Sequence, residues 1–169
     1  MSDREDQFLR LVRENRGRLR RICRVYADTA AAEDDLFQEI LLEAWRSLPS
    51  FEGRSKIDTW LYRVALNTAL GHERKRDVRR EARLQDDELP RGSDPPRPDA
   101  WAAERRRLDR LYEAIDRLDE TDRALVLMYL DERSYAEMAE VLGLTENHVG
   151  VKLHRAKKKL SRWLTEDGS

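Results

Sequence analysis

The sequence predicts an all-α protein: two small helical domains joined by a flexible, acidic, proline-rich linker. Three observations predict it. Apolar residues recur at i, i+3 and i+4 along most of the chain. The composition is 40% charged and 40% hydrophobic with only 7 glycines, which favours amphipathic helices over a turn-rich β architecture. The stretch QDDELPRGSDPPRPDA (Gln85 to Ala100) holds four of the 5 prolines and five acids with almost nothing apolar, as a linker does. The expected division is therefore residues 1–84, a linker over 85–100, and residues 101–169. In 169 residues, each domain has a thin core.

The first helix is predicted from Phe8, Leu11, Val12, Leu19, Ile22, Cys23 and Tyr26, one stripe interrupted only by Gly17. Leu36, Phe37, Ile40, Leu41, Ala44, Trp45 and Leu48 form the stripe of a second helix, which Pro49 helps to end. A third begins at SKID, with Ser55 as N-cap and Asp58 three residues on, and runs to about Leu84. Beyond the linker, Asp99 caps a helix carrying Leu108, Leu111, Tyr112, Ile115 and Leu118. Further capped starts stand at Asp119, Ser134 and Thr145.

Net charge is −1, from 33 basic and 34 acidic residues, so bulk charge predicts no polyanion partner. The distribution does. Lys152 to Arg162 contains six basic residues and no acid, and Arg74 to Arg83 contains six against Asp77 and Glu81. Two such patches fit contact with phosphates at two places, although solvated helix faces also produce runs of this kind. Cys23 is the only cysteine, which excludes an intrachain disulfide and a cysteine-based zinc site. The N-terminus lacks a secretory pattern and no apolar run approaches 18 residues, so the expectation is a cytoplasmic protein without membrane insertion.

SYAEMAEVLGLTENHVGVKLHRAKKKL (Ser134 to Leu160) has the spacing of a helix-turn-helix. Ala139 is small where two helices cross, Gly143 supplies the turn, and Val149 locks the second helix. At about 100° per residue, Val149, Leu153, Ala156 and Leu160 share the core face. Asn147, Val151, His154, Arg155 and Lys158 cluster opposite, flanked by His148, Lys152 and Lys159, with Thr145 at the helix start. In a major groove Val151 could meet a thymine methyl, Arg155 a guanine edge and Asn147 an adenine. Taken alone, Val151 is equally well one exposed apolar residue of the ordinary kind. Gly150 is a second oddity, since a glycine inside a helix costs about 1 kcal/mol relative to alanine.

The third helix is apolar nearly all round, with Ile57, Leu61, Val64 and Thr68 on one face and Tyr62, Leu66 and Leu70 on the other. Between them runs a stripe of Trp60, Arg63, Asn67 and Arg74, suited to stacking on unpaired bases and gripping phosphates. The alternative is Trp60 in the core and the rest as plain surface.

The run DLFQEILLEAWRSLPSFEGRSKIDTWLYRVALN (Asp35 to Asn67), then a basic helix end, an acidic linker and LDETDRALVLMYLDERSYAEMAEVLGLTENHVGVKLHRAKKKL, closely resembles the extracytoplasmic-function group of bacterial sigma factors. The resemblance covers nearly the whole chain, in order. It implies that Asp35, Gln38 and Glu39 match the acidic helix that docks on the clamp of core RNA polymerase. Phe51, Arg54, Ser55 and Lys56 in the loop, with Trp60, Tyr62, Arg63 and Asn67 and the basic Arg74 beyond, match the part that melts the minus-ten element and captures an extruded base. Extrusion costs a few kcal/mol and needs an aromatic, hydrogen-bonding pocket. The C-terminal domain would read the minus-thirty-five element of promoter DNA and touch the polymerase flap, and an anti-sigma factor is an expected partner. Two positions depart from the family's pattern: Gly150 where many members carry a basic residue, and Gly71 where many carry an acid.

An enzyme is a poor rival. No phosphate-cradling glycine loop is present, and His72, His148 and His154 lack metal-ligand spacing, so no catalytic residue, metal or cofactor is expected. A sigma-mimicking protein would lose the basic recognition helix that this chain retains. An ordinary dimeric helix-turn-helix regulator would leave the acidic helix and the Trp60 stripe unexplained.

Overall fold

The computed structural model describes residues 2–82 and 99–168, the side chains of Arg80, Ala82, Asp99 and Ala100 excepted. Of the expected linker, 85–100, residues 85–98 lie outside the described residues, while 99 and 100 already belong to the next helix, so Asp99 is its first residue and not its cap. The chain divides into two compact units, Met1–Gly92 and Ser93–Ser169, and among the described residues there is no strand.

The first unit packs three helices against one another. Helix α1 spans Asp3–Tyr26. It starts five residues before Phe8 because Ser2 and Glu5 form a reciprocal capping box. The Glu5 amide donates to Ser2 Oγ at 3.3 Å, and the Ser2 amide donates to Glu5 Oε2 at 3.0 Å. Helix α2 spans Ala30–Ser47, with Thr29 Oγ1 accepting from the Ala32 amide at 3.1 Å. A 3-10 turn, Leu48–Ser50, carries Pro49 where its missing N–H is harmless.

Helix α3 spans Ile57–Ala82. The Trp60 amide donates to the Lys56 carbonyl at 3.0 Å, so Lys56 and not Ser55 holds the N-cap position. Asp58 does not complete a capping box with Ser55; its carboxylate accepts from Asn15 Nδ2 on α1 at 3.0 Å. Asn15 is buried and satisfied, since the same Nδ2 also donates to the Leu11 carbonyl and its Oδ1 accepts from Arg18 at 3.1 Å. The core gathers Leu19, Ile22, Tyr26, Leu36, Ile40, Leu61 and Leu66, each worth roughly 1.5–3 kcal/mol when buried. Cys23 is fully buried among them, and burial pushes its thiol up to about 12.

The second unit surrounds one apolar helix. Helix α4 is Asp99–Asp116, α5 is Glu120–Leu130, α6 is Tyr135–Leu142 and α7 is Glu146–Glu166. Ala124 through Met128 are all buried because α4, α6 and α7 each pack on α5. Asp119, Ser134 and Thr145 cap their helices as the sequence suggests, accepting amide hydrogens at 2.9, 3.1 and 3.1 Å. Gly143 ends α6 in the left-handed region, φ 67° and ψ 34°, with its N–H on the Ala139 carbonyl. A side chain there would meet its own backbone, so this turn selects glycine.

Candidate nucleic-acid interface

Helix α7 is sorted by its core contacts. Val149, Leu153, Ala156 and Leu160 are buried, and the opposite arc holds exposed Asn147, Val151, His154, Arg155 and Lys158. His148 is also exposed, and Thr145, at the N-cap, has its hydroxyl committed to the His148 amide. Val151 is 41% exposed among polar neighbours. Arg162, the last residue of the basic run, falls on the same arc three turns beyond Val151 and is exposed.

Lys152 is not part of this surface. Its Nζ stands 3.3 Å from Asp122 Oδ1 on α5, and Lys159 Nζ stands 3.8 Å from Oδ2 of the same carboxylate, which is 4% exposed. Lys157 Nζ lies 4.4 Å from the centre of the Tyr129 ring. Three of the six basic residues therefore fasten α7 to α5, leaving Arg155, Lys158 and Arg162 as its outward cations. No periodicity of α7 alone reveals this, because the partner carboxylate lies on another helix.

An open groove runs along the α7 surface, lined by Tyr135, Glu146, Asn147, Gly150, Val151, His154 and Arg155. Tyr135, at the first turn of α6, is 43% exposed there and was not anticipated as a site residue. Its position directly after the Ser134 cap is the one signal that could have found it.

In the first unit, α3 is buried along a single wide arc of Thr59, Leu61, Tyr62, Ala65, Leu66 and Ala69. Alanines at its centre let α1 and α2 approach closely, and the two-faced burial expected from the sequence is replaced by this one arc. Opposite lie Trp60 and Arg63, half-buried, and Asn67 and Arg74, exposed. Tyr62 is corrected: at 2% exposure it is a core residue and not part of the outward stripe.

Phe51 and Trp60 pack with their rings tilted at 47° and centres 5.4 Å apart, which anchors the loop carrying Arg54, Ser55 and Lys56. Arg54 points into solvent and pairs with Glu52 at 2.8 Å, Lys56 is exposed, and Ser55 is half-buried. Of the basic end of α3, Arg76 is structural, pairing with Asp28 at 2.7 Å and donating to the Tyr26 carbonyl at 3.4 Å.

On α2, Asp35 and Gln38 are exposed, and Glu39 is half-buried with Oε2 3.4 Å from His72 Nδ1 on α3. Leu42, one turn further on, is an exposed leucine adjoining this acidic face. Among the described residues no cluster of His, Cys, Asp or Glu could hold a metal ion, and no helix is long and apolar enough to cross a membrane.

Two family models match the chain in order: sigma-70 region 2 over residues 11–79 and sigma-70 region 4 over residues 108–160. The chain is 34% identical over 141 residues to RNA polymerase sigma factor CnrH of Cupriavidus metallidurans, covering 79% of this chain and 74% of that protein. It is 26% identical over 170 residues to the ECF RNA polymerase sigma factor SigW of Bacillus subtilis, covering 96% and 91%. Its fold is similar to that of the sigma factor RpoE from Bartonella quintana, solved with the anti-sigma factor NepR, at a TM-score of 0.73 and 20% identity over 98% of each chain.

Proposed function

The chain belongs to the extracytoplasmic-function group of RNA polymerase sigma factors, and we propose that its two units meet promoter DNA through the two arcs just described. Sigma factors are transcription initiation factors: bound to core RNA polymerase, they direct it to promoters. In this reading the chain supplies recognition and strand separation, and bond-making belongs to the polymerase. The division into residues 1–84, a linker over 85–100 and residues 101–169 assigns one DNA element to each helical part.

The observation that carries the reading is the outward arc of α7. With Val149, Leu153, Ala156 and Leu160 held in the core, Asn147, Val151, His154, Arg155 and Lys158 face a duplex together, as a recognition helix in a major groove requires. Arg155 offers a bidentate donor to a guanine edge and Lys158 a phosphate contact. On α3, Trp60 packed against Phe51 gives an aromatic wall for an unpaired minus-ten base, with Arg63, Asn67, Arg74, Arg54 and Lys56 around it. Asp35, Gln38 and Glu39 form the face for the polymerase clamp, and Leu42 adds an apolar contact at its edge.

The solved relative RpoE is held by an anti-sigma factor. A partner of that kind, covering the α2 acidic face and the DNA arcs, would hold this chain inactive in the cytoplasm. Free of polymerase, the chain binds promoters weakly, because a net charge of −1 and two small patches on a linker gain little until their spacing is fixed. The binding weakens with salt through counterion release.

Run-off transcription tests the reading. Core polymerase with the chain, on a genomic promoter library, initiates at discrete start sites absent without it. Polymerase binding without initiation would mark a sigma mimic, and no polymerase binding would remove the α2 assignment.

A further inference from the structure

The groove of the second unit holds an apolar notch in an otherwise polar DNA-facing surface. Tyr135 from α6 and Val151 from α7 are both exposed, at 43% and 41%, and both line it. Gly150 lies between them. A Cβ built on Gly150 would stand 3.4 Å from Tyr135 Cε2 and 3.9 Å from Cδ2, so the Tyr135 ring lies against the bare helix backbone, with room for an alanine methyl. A longer side chain would have to leave across the ring and into the groove. Polar groups rim the notch: Asn147, Glu146, His154 and Arg155. Arg155, Lys158 and Arg162 on the same arc fix the occupant as a polyanionic duplex.

We propose that Tyr135, Gly150 and Val151 together read the 5-methyl group of one thymine in the upstream promoter element, and that Gly150 determines specificity by having no side chain. This rests on the recognition-helix reading of α7 and adds its specificity. Thymine alone among the four bases carries a methyl in the major groove, and apolar contact is the means of reading it. A basic side chain at position 150 would cover the ring and substitute a phosphate or purine contact. The glycine trades that contact for a methyl pocket.

The test uses the chain assembled with core polymerase. Upstream elements are first selected from a random duplex library. Each thymine of the selected element is then replaced in turn by deoxyuridine, which removes only the methyl. Burying one methyl-sized group is worth about a fourfold change in affinity, so one position should lose about that factor. Val151→Ser should abolish the difference between thymine and deoxyuridine at that position while leaving the salt dependence unchanged. Gly150→Ala is the folding control, because it removes an unfavourable helical glycine; it should melt no lower than the parent yet shrink the deoxyuridine effect. Equal binding of thymine and deoxyuridine at every position, or an element selected without thymine, overturns the notch and leaves the sigma reading intact. Failure to select any upstream element overturns both.

Discussion

The two units hold their proposed DNA-facing helices in opposite ways. In the first, α3 is fastened by groups that lie off its outward stripe: Asn15 grips Asp58 at its start, and Arg76 grips Asp28 and the Tyr26 carbonyl near its end. In the second, α7 is fastened by its own basic run, with Lys152 and Lys159 on Asp122 and Lys157 over Tyr129. A count of positive charges therefore overstates the phosphate footprint of α7, where three of six basic residues are turned to α5. Where the scaffold contacts and the DNA contacts share a helix, a substitution in either disturbs both.

The largest effect that tests this contrast is in the first unit. Tyr62→Ala should cost about 3–5 kcal/mol of stability, because Tyr62 is a core residue, and thermal melting would show it. Trp60→Ala, which removes a half-buried ring, should lower the melting temperature less than Tyr62→Ala while abolishing run-off transcription. A Tyr62 variant that melts normally and fails only in transcription would return Tyr62 to the DNA surface.

In the second unit, Asp122→Ala leaves two lysines without their shared carboxylate. The lysines keep access to solvent, so the loss is moderate, about 2 kcal/mol. The same variant should steepen the salt dependence of DNA binding, with the logarithmic slope larger by up to about 2 as the released ammonium groups reach phosphates. An unchanged slope would mean that Lys152 and Lys159 cannot turn outward.

Asp119→Ala should cost about 1 kcal/mol at neutral pH by removing the cap of α5. The hydrogen bond from the Asp122 amide holds the Asp119 carboxyl below its ordinary 3.8. A depressed value makes its contribution full above about pH 4 and lost as pH falls below that, so parent and variant should converge on acidification. The smallest changes are stabilising and mirror each other. Gly17 sits mid-helix on α1 with open space where a Cβ would go, while Glu132 carries a side chain at φ 57°. Gly17→Ala and Glu132→Gly should each gain about 0.5–1 kcal/mol, read as a small rise in melting temperature.

The core face of α7 was legible because Val149, Leu153, Ala156 and Leu160 keep one helical period and the opposite face follows from it. The same period left Lys152 beside the outward arc, while Tyr62, which it put on an apolar face with Leu66, was moved to the DNA surface only by what the family resemblance implies. The apolar face it shares with Leu66 is the one the structure buries. Lys152 lies at the edge of the outward arc, and only Asp122, thirty residues earlier, turns it inward. Ser2 and Glu5 have capping-box spacing in the sequence, and they start α1 ahead of the apolar stripe that begins at Phe8.

The burial of Cys23 makes the chain convenient to label. Burial holds its thiol protonated well above neutral pH, and the sulfur has no solvent access. A cysteine introduced on an exposed position would therefore be the only one to react with a maleimide dye. A dye at Lys56 and a second at Lys158, in a Lys56→Cys, Lys158→Cys chain, would report the separation of the two units in solution, with Cys23 left in place.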